Sequence, residues 1–483
     1  MIKRKRLGEL IPRSAVLTAM KICCLLLPLL MVSQTMVSSA EKSVREAMLG
    51  EALLNPQGYE LLETLSVQFG PRMTGTQSHA DSMDFLELAL QELGLETRRE
   101  SFQVPGWVRG HDTVDLVEPV GRSIRAIALG YVERQSAFEA PVAWLDTDKF
   151  DTLEADSLRG KVVVIRHTVR MNQEKYTTLA DEFGVVGALL MNRVKGGQLL
   201  ARVANHQGMP PPFPVFSITQ EEGLRFQAQI ESGIVPRVRL EVGSYNKPMS
   251  GYNLVATLPG TSEERIIIGG HFDSWDLAQG AMDNGLGIAQ IYEAARLLKK
   301  FSPDNAYTIE FVFFDAEEWG LWGARRFMEQ HDPETIRAML NLDMVGDPEG
   351  VNTMGFDELV PMLEAFDESL GAYGFTRRLE NKPWMGSDHL PFILNGIPSI
   401  TFYAPIPSDD VRYYHDVADT FDKVDAGLLA RSSALVALLG YQLGNDENPA
   451  LQRLDSKETE SLLEKAGLVE RLTASGYWPL QSE

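Results

Sequence analysis

Cysteine is almost missing from this 483-residue chain: there are two, Cys23 and Cys24, side by side near the start. The rest of the chain therefore has no disulfide framework, no thiolate metal site and no cysteine nucleophile. A chain of this length with 44% hydrophobic residues can be stabilised by its core alone and has room for more than one domain. Uninterrupted apolar runs long enough to span a bilayer are lacking too, so no ordinary transmembrane helix is expected. Positive charge is scarce: 45 Lys and Arg stand against 67 Asp and Glu, a net charge of −22. Such a surface repels phosphate backbones, which argues against a nucleic-acid partner. There is no internal repeat and no low-complexity tract.

The first forty residues have a character of their own. Lys3, Arg4, Lys5 and Arg6 form a basic start, Ile22 to Val32 a short apolar core, and Ser38-Ser39-Ala40 a run of small residues. This pattern predicts a signal peptide over residues 1–40, cut after Ala40, and an exported protein, secreted or periplasmic. Both cysteines leave with it, and no stable membrane anchor remains.

Beyond it, residues 79–95 carry apolar side chains at helical spacing, and Glu96 to Val108 reads as extended. Short apolar runs follow at Lys161–Arg166, Val185–Met191, Pro210–Ile218 and Val235–Val242. They predict a small strand-rich α/β block inserted into a larger domain. From Tyr252 the pattern is regular. NLVATL, RIIIGG, YTIEFVFF, AMLNLDMV and IPSITFY read as strands, with helices beginning near Asn284, Trp319 and Asp357. The expected fold class is α/β, a mixed, mostly parallel sheet flanked by helices. Residues 447–483 read as a helical tail in which Leu462, Leu463 and Leu468 can dock.

In such sheets chemistry gathers at the carboxyl ends of strands. RIIIGG runs into GGHFDSWDLAQGAMDN, with His271, Asp273, Asp276 and Asp283; FVFF runs into Asp315, Glu317 and Glu318; LNLDM carries Asp343; and His415 follows in YYHDVADT. Imidazole nitrogens and carboxylate oxygens without sulfur suit a catalytic Zn²⁺, and the carboxylates suffice for two metals if one bridges them. Adjacent Glu317 and Glu318 cannot easily bind one ion together, so one serves as ligand and its neighbour as general base. Asp273, two residues after His271, is placed to hold the other ring nitrogen. Each feature alone has an ordinary structural explanation, but their gathering at the ends of one sheet's strands does not.

These segments, with FGPRMTG (Phe69–Gly75), VPGWVRG (Val104–Gly110), FFDAEEWGLWGA (Phe313–Ala324), NLDMVGD (Asn341–Asp347), GSDHLPF (Gly386–Phe392) and YHDVADT (Tyr414–Thr420) in order, resemble the co-catalytic dizinc exopeptidases. That family comprises secreted aminopeptidases and glutamate carboxypeptidases, and its glutamate carboxypeptidase branch is the nearer. The resemblance implies a zinc exopeptidase fold with a protease-associated domain insert. The corresponding divisions are 41–118 for the first part of the peptidase domain, 119–250 for the insert, 251–446 for the catalytic domain and 447–483 for the tail.

The resemblance also implies two Zn²⁺ per chain. His271 and Asp343 would hold one and Glu318 and His415 the other, with Asp283 bridging and a cis peptide between Asp283 and Asn284. Glu317 would be the general base and Asp273 the orienter of His271. Tyr403 or Tyr414 would donate to the oxyanion, and Asp388 and His389 would shape the substrate pocket. Trp275, Trp319 and Trp322 would line the cleft or pack in the core. His79, His111, His167, His206 and His331 would be structural or solvated.

The implied chemistry is metal-assisted hydrolysis of a dipeptide or short peptide at a chain end, in a protein for which a homodimer is open. Two other classes share the scaffold: an inactive binding protein, as in transferrin receptors, and a single-zinc acyltransferase, as in glutaminyl cyclases. The first would have lost ligands or the base, whereas every such position is filled here; metal content separates the second.

Overall fold

A computed structural model describes residues 39–376, 379–404, 413–445, 450–478 and 480. Residues 1–38 of the expected signal peptide, with Cys23 and Cys24, lie outside the described residues.

The chain enters through α1 (Ser39–Leu54), α2 (Gly58–Glu63) and α3 (Gln77–Glu92), followed by β1 (Glu96–Val104). Thr76 starts α3 by accepting the His79 amide at its hydroxyl, 3.2 Å, satisfying one of the first-turn donors that a helix cannot pair itself. Then come β2 (Trp107–Val108), β3 (Thr113–Glu118), β4 (Arg122–Ser123), β5 (Ala126–Ala128), β6 (Gln135–Leu145) and β7 (Val162–Ile165). They continue into α4 (Gln173–Asp181), β8 (Gly187–Met191), β9 (Val215–Ile218), α5 (Gln220–Glu231), β10 (Arg237–Val242) and β11 (Tyr245–Asn246).

The third stretch holds β12 (Met249–Leu258), β13 (Gly260–His271), α6 (Leu286–Phe301), β14 (Asn305–Phe314), α7 (Trp322–Gln330) and β15 (Ile336–Asn341). It ends with β16 (Gly350–Asn352), α8 (Val360–Leu370), α9 (His389–Leu394), β17 (Ser399–Tyr403), α10 (Ala426–Asn445), α11 (Ser456–Lys465) and α12 (Val469–Ala474).

Two large sheets organise these elements, and β2 and β11 form a separate antiparallel pair. The main sheet has seven strands in the order β1-β12-β14-β13-β15-β17-β16. Its centre, β14-β13-β15-β17, is parallel, and the outer pairs are antiparallel. This is the mixed, mostly parallel sheet expected. The second sheet runs β4-β3-β10-β6-β7-β8-β9-β5, with β6 to β9 parallel. It draws on residues 113–242, and the main sheet resumes at Met249.

The central strands of the main sheet are β-branched and aromatic on both faces because helices cover both. Ile266, Ile267, Ile268, Val312, Phe313 and Phe314 are fully buried. Helix α10 is long and apolar enough to cross a bilayer by composition, but 67% of it is buried inside the protein; it packs on α6 and β14 as a core helix. Leu463, Leu468 and Leu472 dock the tail. A second core fills the other sheet and takes in Trp275, Ala316, Trp319 and Trp322 from the main-sheet loops. The two units are therefore joined through apolar packing beside the carboxyl ends of β13 and β14. All three tryptophans are buried; Trp319 and Trp322 pack in this core, and Trp275 also lies edge-on to His415 with ring centroids 6.0 Å apart.

Candidate metal centre and active site

The loop after β13 can approach the loop after β15 because Gly270 has no side chain: a Cβ there would meet the Leu342 carbonyl oxygen at 2.1 Å. This close passage brings His271 and Asp343 together. His271 Nε2 lies 3.2 Å from Asp283 Oδ1 and 3.6 Å from Asp343 Oδ1. On the other side His415 Nε2 lies 3.0 Å from Asp283 Oδ2 and 3.1 Å from Glu318 Oε2. Asp283 thus turns one carboxylate oxygen to each histidine.

Ligand-capable atoms of His271, Asp283 and Asp343 all fall within 4.8 Å of one another, and so do those of Asp283, Glu318 and His415. The donors are nitrogen and carboxylate oxygen throughout, a set that suits zinc-like cations. Glu318 Oε1 is buried with no hydrogen-bond partner, which fits an oxygen reserved for a cation. The Asp283–Asn284 peptide is cis.

Electrostatics point the same way. Burial pushes the Glu317 carboxyl well above the usual range, and Glu318, Asp388 and Asp343 add to this against the pull of His271. Burial alone would lower His415, but Glu318 and Asp283 outweigh it and carry the imidazole up to about 10. Asp283 is held below the ordinary carboxylate range: burial opposes this, and the hydrogen bonds from His271 and His415 prevail. So many buried acids around two imidazoles cost free energy unless positive charge joins them.

The expectation for Asp273 needs correction. His271 Nδ1 bonds the main-chain carbonyl of Asp273 at 3.0 Å, while the carboxylate stands 3.8 Å away. That carboxylate instead accepts the amides of Glu317 at 3.0 Å and Glu318 at 3.2 Å. Asp273 fixes the ring through its backbone because its side chain is already committed to the loop that presents the two glutamates.

Two further positioning residues have roles that their motifs do not disclose. Arg72, fully buried, donates to the carbonyls of Phe272 (3.1 Å), Gln279 (3.0 Å) and Gly280 (2.8 Å), spanning the loop between His271 and Asp283. Burial lowers its pKa to about 10, so it stays charged at neutral pH. Asp419 accepts the amides of Met282 at 2.7 Å and Asp283 at 3.1 Å. Ala316, Met344 and His415 all have positive φ, at 58°, 53° and 52°. Left-handed backbone at non-glycine residues costs about 1–3 kcal/mol each and gathers at functional sites; here it sits beside Glu317, beside Asp343 and on His415 itself.

Tyr403 and Tyr414 both line a cleft of about 460 Å³ that includes His271, Asp283, Glu317, Asp343 and His415. The Tyr414 ring stacks on His415 with centroids 3.7 Å apart. His389 does not reach this cleft: it is fully buried, its Nε2 meets the Trp384 carbonyl at 3.0 Å, and burial lowers its pKa to about 4. It opens α9 as a neutral structural group, which corrects its expected place among substrate-binding residues. Asp388, beside it, is buried with both carboxylate oxygens unpartnered. Asp276 turns away to Arg109, 3.0 Å. Of the remaining histidines, His79 pairs with Asp315 at 2.9 Å and His331 with Glu100 at 3.0 Å, both structural.

Residues 253–440 match peptidase family M28, in agreement with the family expected from the motifs. Carboxypeptidase Q of Homo sapiens is 26% identical over 428 residues, covering 84% of this chain and 89% of its own length. A peptidase M28 precursor from Shewanella amazonensis superposes with a TM-score of 0.75 at 24% identity, covering 84% of this chain and 97% of its own. A zinc aminopeptidase from Bacillus subtilis superposes at 0.65 and 21% identity, with 83% and 97% covered. These superpositions establish the fold.

Proposed function

We infer that this chain, which carries a peptidase family M28 domain over residues 253–440, is a metal-dependent exopeptidase that holds two zinc ions and cleaves dipeptides or short peptides at a chain end. The observation that carries this reading is the divided carboxylate of Asp283, one oxygen toward His271 and the other toward His415. His271 and Asp343 would hold one ion, Glu318 and His415 the other, and Asp283 both. Such an ion pair supplies a water of lowered pKa and a Lewis acid for the scissile carbonyl.

Glu317 lines the cleft, and burial raises its carboxyl above the usual range, the direction that makes a carboxylate a stronger base. It takes the proton of the attacking water and hands it to the leaving amine. Asp273 holds the backbone of Glu317 and so fixes the base relative to His271. Tyr403 and Tyr414 line the cleft with hydroxyls able to donate to the oxyanion. The second-sheet unit acts as a protease-associated insert that roofs the cleft and keeps long folded chains out. Export is supported by the basic, then apolar, then small-residue pattern of residues 1–40.

Relatives carry both carboxypeptidase and aminopeptidase names, so the recognised end is a matter for substrates. Free dipeptides, N-blocked peptides and C-amidated peptides should be offered to the zinc-loaded protein, with metal counted by elemental analysis. Two ions per chain and chelator-sensitive hydrolysis are expected, and Asp283→Ala should lose both ions. One ion per chain would favour acyl transfer, and two ions without hydrolysis of any peptide would favour a binding protein.

A further inference from the structure

The turn between β14 and α7 carries both glutamates in an unfavourable backbone shape. Within it Ala316, Gly320 and Leu321 have positive φ, at 58°, 124° and 61°. Left-handed backbone at Ala316 and Leu321 is costly and persists only where the surroundings over-determine it. Part of the restraint is internal: the Glu317 carbonyl accepts the amides of Gly320 and Leu321 at 2.8 Å each, and the Ala316 carbonyl that of Trp322 at 3.1 Å. Asp273 adds its hold on the amides of Glu317 and Glu318.

The carbonyls of Trp319 and Gly320 are taken by tyrosines from two distant parts of the chain. Tyr131, fully buried between β5 and β6, donates its hydroxyl to Trp319 at 2.8 Å and accepts the Trp322 indole N–H at 3.1 Å. The same indole reaches the Trp319 carbonyl at 3.0 Å, so hydroxyl, indole and carbonyl close one network. Tyr477, in the tail after α12, donates to the Gly320 carbonyl at 3.3 Å. Neither tyrosine lines the cleft that contains Glu317.

Both anchors are themselves fixed. Tyr131 has left-handed backbone, φ 72°, and its carbonyl accepts Asn246 Nδ2 at 2.9 Å. The Arg325 guanidinium of α7 lies 4.1 Å from the Trp322 ring centre and 5.3 Å from that of Tyr477, a cation–π pairing that seats the tail on the helix the turn leads into. The packing is close: a Cβ on Gly320 would meet the His206 carbonyl oxygen at 2.8 Å, and one on Gly476 would meet Gln207 Nε2 at 2.5 Å.

We propose that Tyr131 and Tyr477 are positioning residues for Glu317: they hold its turn from the second-sheet unit and from the tail, and so set where its carboxylate stands in the cleft. The proposal rests on the exopeptidase reading, in which Glu317 moves the proton. Glu317 is affected more than Glu318 because a bound ion would anchor the Glu318 carboxylate directly, whereas the Glu317 carboxylate is placed through its backbone. A shift of about 1 Å at a reacting group can cost about 10²-fold in rate.

Tyr131→Phe and Tyr477→Phe keep the rings and remove only the hydroxyls. Both variants and the pair are compared with wild type, zinc-loaded, on a short peptide series, and each is repeated in a Glu317→Gln background. Tyr131→Phe should lower kcat roughly tenfold or more, and Tyr477→Phe by less, its bond being longer; KM and metal content should stay nearly unchanged. In the Glu317→Gln background the hydroxyls should make no further difference, because their effect passes through the missing base. Equal losses in the two backgrounds, or wild-type kcat in both single variants, overturns the proposal.

Hydrogen exchange read by mass spectrometry on peptides covering residues 315–323 needs no turnover. Exchange there should be faster in both Phe variants, metal-free and zinc-loaded, while peptides from β13 and α6 stay as in wild type. Unchanged exchange at 315–323 overturns the clamp, and so does faster exchange throughout the protein, which marks a general loss of stability. If the wild type cleaves no peptide and residues 315–323 alone exchange faster in the variants, the clamp stands and only the exopeptidase reading fails.

Discussion

His415 Nδ1 lies 2.6 Å from the carbonyl oxygen of Ala201, a residue 214 positions earlier that belongs to the second-sheet unit. A ring that donates at Nδ1 presents Nε2 as the free ligand nitrogen, so this contact sets the tautomer the metal centre needs. The second-sheet unit thus holds one residue of the proposed metal centre as well as flanking it.

Asp416 is the clip that secures this arrangement. Its buried carboxylate accepts the Leu199 amide at 2.7 Å and the Ala418 amide at 3.2 Å. Asp416→Ala should loosen His415 and weaken the ion it shares with Glu318 by roughly the 10–100-fold typical of a lost outer-shell partner. The ion at His271 should be affected much less. Stepwise competition with a chelator, followed by elemental analysis, measures this; equal weakening of both ions would show that the clip does not act on one half of the centre.

Such a contact could not be read from the chain. The strand-end clusters were legible because hydrophobic runs mark the strands and polar residues follow each at once, so His271, Asp283, Glu317, Glu318 and Asp343 announce themselves by position. Arg72 sat in a recognisable motif, but its role depends on three carbonyls about 200 residues away. Asp273 reads as a side-chain partner of His271 because backbone carbonyls leave no signature in a sequence. The motif around His389 points to a substrate residue, and only packing reveals that Trp384 and Asn341 enclose it.

Replacing Arg72 tests the loop between the ligands. Arg72→Met keeps much of the side-chain volume but strips the carbonyls of Phe272, Gln279 and Gly280 of their donor. An unsatisfied buried acceptor costs about 1–3 kcal/mol, and the acids Asp419, Asp273 and Asp283 lose a nearby cation. A loss of about 3–5 kcal/mol in metal-free stability is expected, seen as a lower urea midpoint at unchanged slope. A midpoint within error of wild type would show that the loop holds its shape without Arg72.

Metal loading should release protons. In the metal-free protein His271 is raised well above its ordinary pKa and His415 to about 10, because neighbouring carboxylates outweigh burial. Both are then protonated at neutral pH and must become neutral to bind metal. Apparent zinc affinity should therefore rise with pH from 6 to 9. These raised values also stabilise the metal-free fold fully below the unfolded histidine pKa of about 6.5, and that contribution fades as pH climbs toward 10. Zinc titration in weak buffer with a pH indicator, beside urea melts of metal-free protein across that range, checks both signs. Loading without proton release would mean that the histidines are neutral before metal arrives.

The division of labour between two adjacent glutamates is the sharpest consequence of the geometry. Glu318 Oε2 is 3.1 Å from His415 Nε2 and groups with both Asp283 and His415; Glu317 groups only with His271 and Glu318 and faces the cleft with its amide held by Asp273. Glu317→Gln keeps the size of the side chain and removes only the basic oxygen. It should retain both ions and the fold, and lose kcat by about 10²–10⁴-fold, the usual worth of a positioned proton-transfer group. KM should move little, because the lost interaction belongs to the transition state. Glu318→Gln should lose one ion together with rate, and added zinc should restore part of its activity. The paired measurement is metal content and kcat on both variants. If Glu317→Gln sheds metal while Glu318→Gln keeps it and is merely slow, the two roles are exchanged; if both turn over like wild type, hydrolysis does not pass through this centre.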